Sequence, residues 1–205
     1  MNTLTHKHPN TNKLYPIFLK LHQLEMLIVG AGEVGHEKLS FILKSSPDAN
    51  ITMVAPWISP KVADLLKEKK GHQVKILKRD FEAEDVVGKD LVIAATNIRS
   101  LNEGVQKIAK KQGVLVNVAD TPDLCDFYLG SIVTRGDLKV AISTNGKSPT
   151  FAKRFRQLLE DILPQNVNSL LHNLHAVRNR LHGDFEYKVN KMNKITEGLL
   201  QKKEI

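Results

Sequence analysis

Apolar runs and segments of helical periodicity alternate along the first 120 residues of the 205-residue chain. Five short apolar runs are predicted to be strands, and they cover residues 24–29, 51–55, 74–77, 91–95 and 114–118. The first of them lacks regular polar alternation, which is typical of a parallel strand covered on both faces. Three helices are predicted between the strands, over residues 33–44, 60–70 and 99–112. This spacing predicts an α/β fold with a doubly wound, Rossmann-type parallel sheet.

Two further patterns lie outside this alternation. Residues 14–19 are apolar but contain Pro16, which lacks a backbone N–H, so they are predicted to form a first or edge strand. Beyond residue 120, two β-rich runs flank Gly136 and predict an antiparallel hairpin, and the chain from residue 148 onward has helical spacing. We therefore predict three parts, a Rossmann domain over 1–120, a small β-rich region over 121–147 and a helical C-terminal domain over 148–205.

The motif Gly30-Ala31-Gly32-Glu33-Val34-Gly35 lies between the first predicted strand and the first predicted helix. Its G-x-G-x-x-G spacing suits a dinucleotide. Gly30 would turn the chain, Gly32 would let the backbone approach the pyrophosphate, and Gly35 would let the helix lie close to the strand. The start of the helix would also face the phosphate charge. A glycine triplet often marks only a tight turn, but the strand before it and the helix after it favour a nucleotide site.

The residues after the second predicted strand are Ala55, Pro56 and Trp57. They lack the acid that normally accepts the hydroxyls of an adenosine ribose at this place. They also lack an arginine that would hold a 2′-phosphate. Two interpretations follow from this gap: backbone groups of residues 55–57 bind the ribose, or the chain binds no dinucleotide at all.

Polar residues follow the fourth and fifth predicted strands, and ligands of an open α/β sheet bind beyond the carboxyl ends of its strands. Thr96 and Asn97 can offer hydrogen bonds to a nicotinamide ribose or amide, or can simply begin the next helix. Asp120 can act as a general acid or base on a bound substrate, or can form a turn before Thr121 and Pro122. The residues alone leave both pairs of alternatives open.

Three other groups of residues have candidate chemistry. Residues 143–149 form a polar loop before a basic helix. Backbone amides beside cations suit a carboxylate or phosphate group, although an ordinary capped helix start is the alternative. His172, His175 and His182 lie at helical spacing, but no carboxylate or cysteine stands at ligand spacing, so a solvated face is favoured over a metal site. Cys125 has no adjacent base, which favours a buried thiol over a nucleophile.

Charge and composition narrow the class of partner and the compartment. The net charge of +8 favours an anionic partner, either nucleic acid or a small polycarboxylate. The single cysteine excludes an internal disulfide, and residues 1–13 have no apolar leader, so we predict a cytoplasmic protein. The apolar runs are too short to span a bilayer.

Taken together and in this order, the motifs resemble the precorrin-2 dehydrogenase family, the N-terminal module of siroheme synthases. The resemblance extends over about residues 14–160. Its motifs are residues 14–19, 29–34, 94–97 with Asn102, 117–122 with Cys125 and Phe127, 131–133, and 140–149. The chain departs from the family at Gly35, where alanine is usual, and at Gly130, where proline is usual. Thr144 matches a serine that is phosphorylated in some members.

The resemblance implies NAD-dependent oxidation of precorrin-2 to sirohydrochlorin, with Asp120 as the functional aspartate. It implies an intertwined homodimer formed through the β-rich region, and NAD as the cofactor with no metal. The polar loop would bind the anionic tetrapyrrole substrate through Ser143, Thr144, Asn145 and Lys147. The cofactor contacts would come from Gly30, Ala31, Gly32, Glu33, Val34, Ala55, Pro56, Trp57, Thr96 and Asn97.

Two alternative functions stay open. Some members of the family also insert ferrous iron into sirohydrochlorin, so the chain is either a dehydrogenase alone or a bifunctional dehydrogenase and ferrochelatase. A different class is an NAD-responsive regulator that binds nucleic acid. It would need a recognition helix in a helix-turn-helix or winged-helix segment, and the sequence shows no convincing one. We therefore expect neither a nucleic-acid partner nor a membrane partner.

Overall fold

The structure is a computed structural model that describes residues 12–68 and 73–199. The predicted end of the second helix near Lys70, its stop at Gly71 and most of the polar N-terminal segment lie outside these residues. The chain groups into two compact units. Of the described residues, the first contains 12–68, 73–130 and 144–147, and the second contains 131–143 and 148–199.

The first unit is built on a five-stranded parallel sheet. Its strands are β1 (Glu25–Val29), β2 (Asn50–Val54), β3 (Val74–Leu77), β4 (Leu91–Ala94) and β5 (Leu115–Val118). Its helices are α1 (Glu33–Ser45), α2 (Pro60–Glu68) and α3 (Arg99–Lys111). The strand order is β3-β2-β1-β4-β5, so the direction of winding reverses between β1 and β4. The predicted α/β class and Rossmann-type sheet are confirmed, and this reversal is where such sheets bind ligands.

Side chains of the central strands alternate between two buried clusters, one on each face of the sheet. Ile28 packs with Leu39 of α1 on one face, whereas Leu27 packs with Val105 of α3 on the other. Because both faces are covered by helices, β1 and β4 are apolar throughout their buried length, as the missing alternation predicted. Since the helices cover both faces of the sheet, the loops that follow the strands come together at its carboxyl edge.

The prediction of a strand over residues 14–19 is wrong. The segment has no strand pairing, and Tyr15 and Phe18 are 86% and 67% exposed. Pro16 cannot donate a ladder hydrogen bond, and the β5 edge of the sheet is already covered by another segment. There the backbone N–H of Asp126 donates to the Val116 carbonyl (2.7 Å). The segment therefore adds no strand to the sheet.

The second unit consists of a hairpin and three helices. Strands β6 (Ser131–Arg135) and β7 (Leu138–Ile142) pair antiparallel, and Arg135 stands opposite Leu138, so Gly136 and Asp137 form the turn. Arg135 donates a hydrogen bond of 2.6 Å to the Glu160 carbonyl, and the Asp137 N–H donates one of 2.9 Å to the side chain of Asn168. The hairpin and the helical region are confirmed, and the helices are α4 (Pro149–Ile162), α5 (Val167–Arg180) and α6 (Phe185–Thr196).

The turn after β1 brings the backbone of Gly30 against the end of β4. Gly30 has φ +104°, and a Cβ on it would lie 2.6 Å from the carbonyl oxygen of Ala95. A Cβ on Gly35, in the first turn of α1, would overlap the carbonyl oxygen of Gly30. Both glycines are thus required by close backbone contacts, as predicted for a tight strand-to-helix turn.

We expect Gly30→Ala to lower the free energy of unfolding by about 1–3 kcal/mol, because it adds backbone strain and a steric overlap. Gly104 is the matched control, since it lies in α3 with no heavy atom within 4 Å of an added Cβ. Gly104→Ala should leave stability unchanged or raise it by up to about 1 kcal/mol. Urea denaturation measures both, and equal stability of the two variants would show that the turn does not require a glycine.

Candidate active site

One cavity of about 430 Å³ opens at the carboxyl ends of β1, β2 and β4. All ten residues predicted to contact the cofactor line it, although they come from three separate segments of the chain. Seven lining residues were not predicted from the sequence, and they are Val29, Val54, Asp80, Phe81, Ala95, Ile98 and Leu101. The site residues predicted from the sequence follow the first, second, fourth and fifth strands, and none of them lies in the loop after β3.

The glycine loop has the geometry that a pyrophosphate needs. Gly32 is the N-cap of α1, and a Cβ on it would meet no heavy atom within 4 Å, so its backbone is open to the cavity. The first N–H groups of a helix have no acceptor within the helix and can bind an anion. The loop is held from behind, because the N–H of buried Ser59 donates to the Ala31 carbonyl (3.0 Å). The residues present fit a dinucleotide.

Glu33 places a carboxylate beside this phosphate position, and Lys61 compensates its charge. The Lys61 ammonium lies 2.7 Å from the Glu33 carboxylate, and this hydrogen bond holds the pKa of Glu33 below its usual range. With its charge paired, Glu33 repels a pyrophosphate less than an isolated carboxylate would.

Thr96 is fixed by a buried asparagine behind it. The Thr96 hydroxyl donates to the side-chain oxygen of Asn102 (2.7 Å), and the Asn102 amide donates to the Thr96 carbonyl (3.0 Å). Asn102 is only 7% exposed. Helix α3 has Ile98 as its N-cap with no side-chain cap, so Thr96 and Asn97 do not cap it. Both line the cavity, Thr96 held by Asn102 and Asn97 exposed.

Asp120 lies at the same edge of the sheet but is not among the residues that line the cavity. The N–H of the preceding Ala119 donates to the Ala94 carbonyl (2.9 Å), which places Asp120 beside the end of β4. Asp120 is exposed and adopts φ +56°, a left-handed conformation that is uncommon outside glycine. Backbone strain of this kind is concentrated at functional positions.

Cys125 closes the loop that carries Asp120. The N–H of Val118 donates to its sulfur (3.2 Å), and the thiol donates to the carbonyl oxygens of Val118 (3.2 Å) and Thr121 (3.4 Å). The thiol is half-buried, and burial raises its pKa, so it stays protonated at neutral pH. Cys125 thus stabilises the loop, which agrees with the sequence analysis, where a buried thiol was favoured over a nucleophile.

The structure does not bring the predicted substrate residues Ser143, Thr144, Asn145 and Lys147 into the cavity. Asn145 has φ +53°, and the next residues lead into α4, whose first turn is capped by the hydroxyl of Ser148 accepting from the Phe151 N–H (3.2 Å). The capped helix start that the sequence left as an alternative is therefore present.

Two histidines of the second unit have contacts that the sequence did not predict, and one of these joins His175 Nε2 to the side-chain nitrogen of Asn179 (3.0 Å). His172 Nε2 lies 3.2 Å from the Asp137 carboxylate, which comes from the hairpin turn. No group of three or more His, Cys, Asp or Glu residues within 12–68 and 73–199 is arranged to hold a metal ion. Within the same residues, no helix combines the length and apolar character needed to cross a bilayer.

Known proteins resemble the chain in both sequence and structure. Residues 17–131 match the family model described as putative NAD(P)-binding, and residues 135–162 match the model described as sirohaem biosynthesis protein central. The siroheme synthases of Pseudoalteromonas atlantica and Methylococcus capsulatus are 41% and 39% identical to it over 156 and 155 residues, respectively. Each of these matches covers 76% of this chain.

The solved structure of SirC, a precorrin-2 dehydrogenase, is 27% identical and matches with a TM-score of 0.67 over 89% of both chains. The curated relatives are longer proteins, because the matched regions are 33% and 32% of the Pseudoalteromonas and Methylococcus siroheme synthases. The chain therefore spans about a third of the length of the curated relatives that it matches.

We expect Gly32→Asp to abolish NAD binding without unfolding the chain. The Cβ of the added side chain would have no heavy atom within 4 Å, but the carboxylate would place bulk and negative charge where the pyrophosphate would lie. Gly104→Asp is the matched control, since it introduces the same side chain at another open glycine that does not line the cavity. Calorimetric titration with NAD checks this, and an unchanged affinity in Gly32→Asp would show that the site is assigned wrongly.

Proposed function

Because the chain belongs to the putative NAD(P)-binding family, we propose that it binds NAD and oxidises precorrin-2 to sirohydrochlorin in siroheme synthesis. The observation that carries the proposal is the meeting of three sequence segments, residues 30–34, 55–57 and 96–97, on one cavity at the carboxyl edge of the sheet. The likeness to SirC over 89% of both chains supports the choice of substrate.

The reaction removes a hydride and a proton from precorrin-2. A nicotinamide held in this cavity would supply the acceptor for the hydride, which is the hard part of the chemistry. The residues of this chain hold the dinucleotide: the backbone of Gly30–Val34 at the pyrophosphate, and Thr96 with Asn97 at the nicotinamide end. Thr96 suits a positioning role because Asn102 fixes its hydroxyl and its carbonyl.

Asp120 is the residue that we assign to the substrate. Its carboxylate is exposed beside the end of β4, and its backbone has the left-handed conformation described above. Two roles follow from the chemistry of a carboxylate. As a general base it takes the proton that leaves precorrin-2, whereas as an orienting group it accepts hydrogen bonds from pyrrole N–H groups. Both roles require contact with the macrocycle.

The substrate is a polycarboxylate, and the basic chain offers groups to bind it. We propose that Ser143, Thr144, Asn145 and Lys147 contact its carboxylates, because this loop combines the Lys147 cation with hydroxyl and amide side chains that can donate hydrogen bonds to a carboxylate. The net charge of +8 would raise the rate of encounter with such an anion. The single thiol suits a reducing cytoplasm, which is where we place the enzyme.

We further propose that the chain works as a homodimer, joined through the β-rich region of residues 121–147 and the adjacent helix α4. Within the described residues the hairpin forms a sheet of only two strands, and its Ile132 and Ala141 stand opposite each other on the face away from buried Val133. Four apolar side chains at helical spacing on α4 are 39–61% exposed within the described residues, namely Phe151, Phe155, Leu158 and Ile162. An apolar surface of this kind favours a second copy as its cover.

An anaerobic assay with precorrin-2 and NAD tests the enzyme and the role of Asp120 together. The unaltered chain should form one NADH per sirohydrochlorin, and Asp120→Ala should lose activity with its affinity for NAD intact. If Asp120 acts as a general base, Asp120→Asn should lower turnover about a hundredfold or more. If Asp120 orients the substrate, the loss should be milder and should appear partly in substrate affinity, because the amide oxygen still accepts a hydrogen bond.

Asp123→Asn is the matched control for this assay, since Asp123 is an exposed acid in the same loop. It should keep full activity. Full activity in Asp120→Ala would exclude both roles for Asp120, and no NADH with the unaltered chain would exclude the dehydrogenase. Ferrous iron added after the oxidation then tests the bifunctional alternative by the appearance of siroheme.

Sedimentation at micromolar concentration tests the dimer. The unaltered chain should have twice the mass of one chain, and Ala141→Asp should shift it towards the monomer, because a charge would be buried in the interface. Ala141 is exposed in the single chain, so the variant should still fold. Val87→Asp, at an exposed apolar position of the first unit, should remain dimeric. A monomeric unaltered chain would contradict the proposal.

A further inference from the structure

The missing ribose acid has a candidate replacement in the loop after β3. β2 ends at Val54, and the residues that follow it contain no carboxylate, yet the cavity is lined by Asp80 at the same side of the sheet. Resting on the proposed function, we propose that Asp80 binds the hydroxyls of the adenosine ribose and makes the site select NAD over NADP. A dinucleotide site ordinarily has this acid directly after the second strand.

The register of the sheet explains how an acid from another strand arrives there. β3 pairs with β2 so that Leu77 stands beside Val54, and the N–H of Ala55 donates to the Leu77 carbonyl (3.1 Å). The two chains therefore leave the sheet side by side. Asp80 follows three residues after Leu77 and lines the cavity together with Ala55.

An ion pair holds this loop in place. The guanidinium of Arg79 donates two hydrogen bonds to the Asp85 carboxylate (2.9 and 2.6 Å) and a third to the backbone carbonyl of Asp80 (2.9 Å). The Asp85 side chain is 6% exposed and also accepts from the Glu82 N–H (2.9 Å). Phe81 packs against the buried cluster on the α3 face of the sheet. The backbone of Asp80 is thus fixed on both sides, while its side chain stays exposed at the cavity.

The same arrangement disfavours the 2′-phosphate of NADP. A carboxylate accepts hydrogen bonds from two ribose hydroxyls but repels a phosphate at the same position. The nearest cation in sequence is Arg79, and Asp85 already occupies its guanidinium in a bidentate pair. Arg79 holds the pKa of Asp85 below its usual range, so this pair stays ionised at neutral pH. Arg79 therefore has no free guanidinium to balance the charge of a 2′-phosphate placed beside Asp80.

Titrations of NAD and of NADP into the full chain test the assignment. The unaltered chain should bind NAD more tightly than NADP. Asp80→Asn should weaken NAD binding by about tenfold, as expected for loss of a charged hydrogen-bond acceptor, and should bind NADP more tightly than the unaltered chain does. Glu84→Gln is the matched control, because it removes an exposed carboxylate from the same loop that does not line the cavity. It should leave both affinities unchanged.

The outcomes separate this inference from the proposed function. If the unaltered chain binds NAD and Asp80→Asn has the same ratio of NAD to NADP affinity, the role of Asp80 is wrong and the dinucleotide site stands. If the unaltered chain binds neither dinucleotide, both are wrong. A variant with an unchanged thermal midpoint and an altered ratio supports Asp80 as the specificity residue, because a merely structural role would weaken both ligands together.

Discussion

The site depends on one close backbone approach, in which the turn at Gly30 lies against the end of β4. A side chain at Gly30 would stand 2.6 Å from the Ala95 carbonyl, so the chain can pass here only without a Cβ. The contact brings the end of β1, the start of α1 and the end of β4 to one point of the sheet edge. The N–H groups of α1 and the wall formed by Thr96 consequently border the same cavity.

A second constraint, the covered edge of β5, explains why Asp120 is held where it is. The segment after Asp120 returns along β5: the Asp126 N–H donates to Val116, and the thiol of Cys125 bonds the backbone of Val118. The return closes a short loop and leaves Asp120 at its start in a left-handed conformation. An edge strand is thereby protected, and a carboxylate is fixed next to the cavity. Stability and proposed chemistry thus depend on the same hydrogen bonds.

The sequence predicted the parts of the site that follow strands with a clear motif. The glycine motif and the polar residues after β4 were found because both directly follow buried apolar strands, and the fold class followed from the same pattern. Asp80 was missed because its approach to the cavity depends on the register of β2 with β3, which periodicity does not show. The strand order, had it been derived from the doubly wound pattern, would have placed the loop after β3 beside Ala55. The prediction of a strand over residues 14–19 rested on the apolar content of the segment. It was wrong because Pro16 cannot donate a ladder hydrogen bond and the apolar side chains of the segment are exposed.

The most direct test of this account is a crystal structure of the chain with NAD bound. The pyrophosphate should lie against the backbone of Gly30–Gly35 and the adenosine ribose beside Asp80. The nicotinamide should lie beside Thr96 and Asn97, at the end of the cavity nearer to β4 and Asp120. This direction follows from the sheet order, since Asp80 leaves from β3 and Asp120 from β5. A dinucleotide bound outside this cavity, or bound with its nicotinamide beside Asp80, would contradict the account.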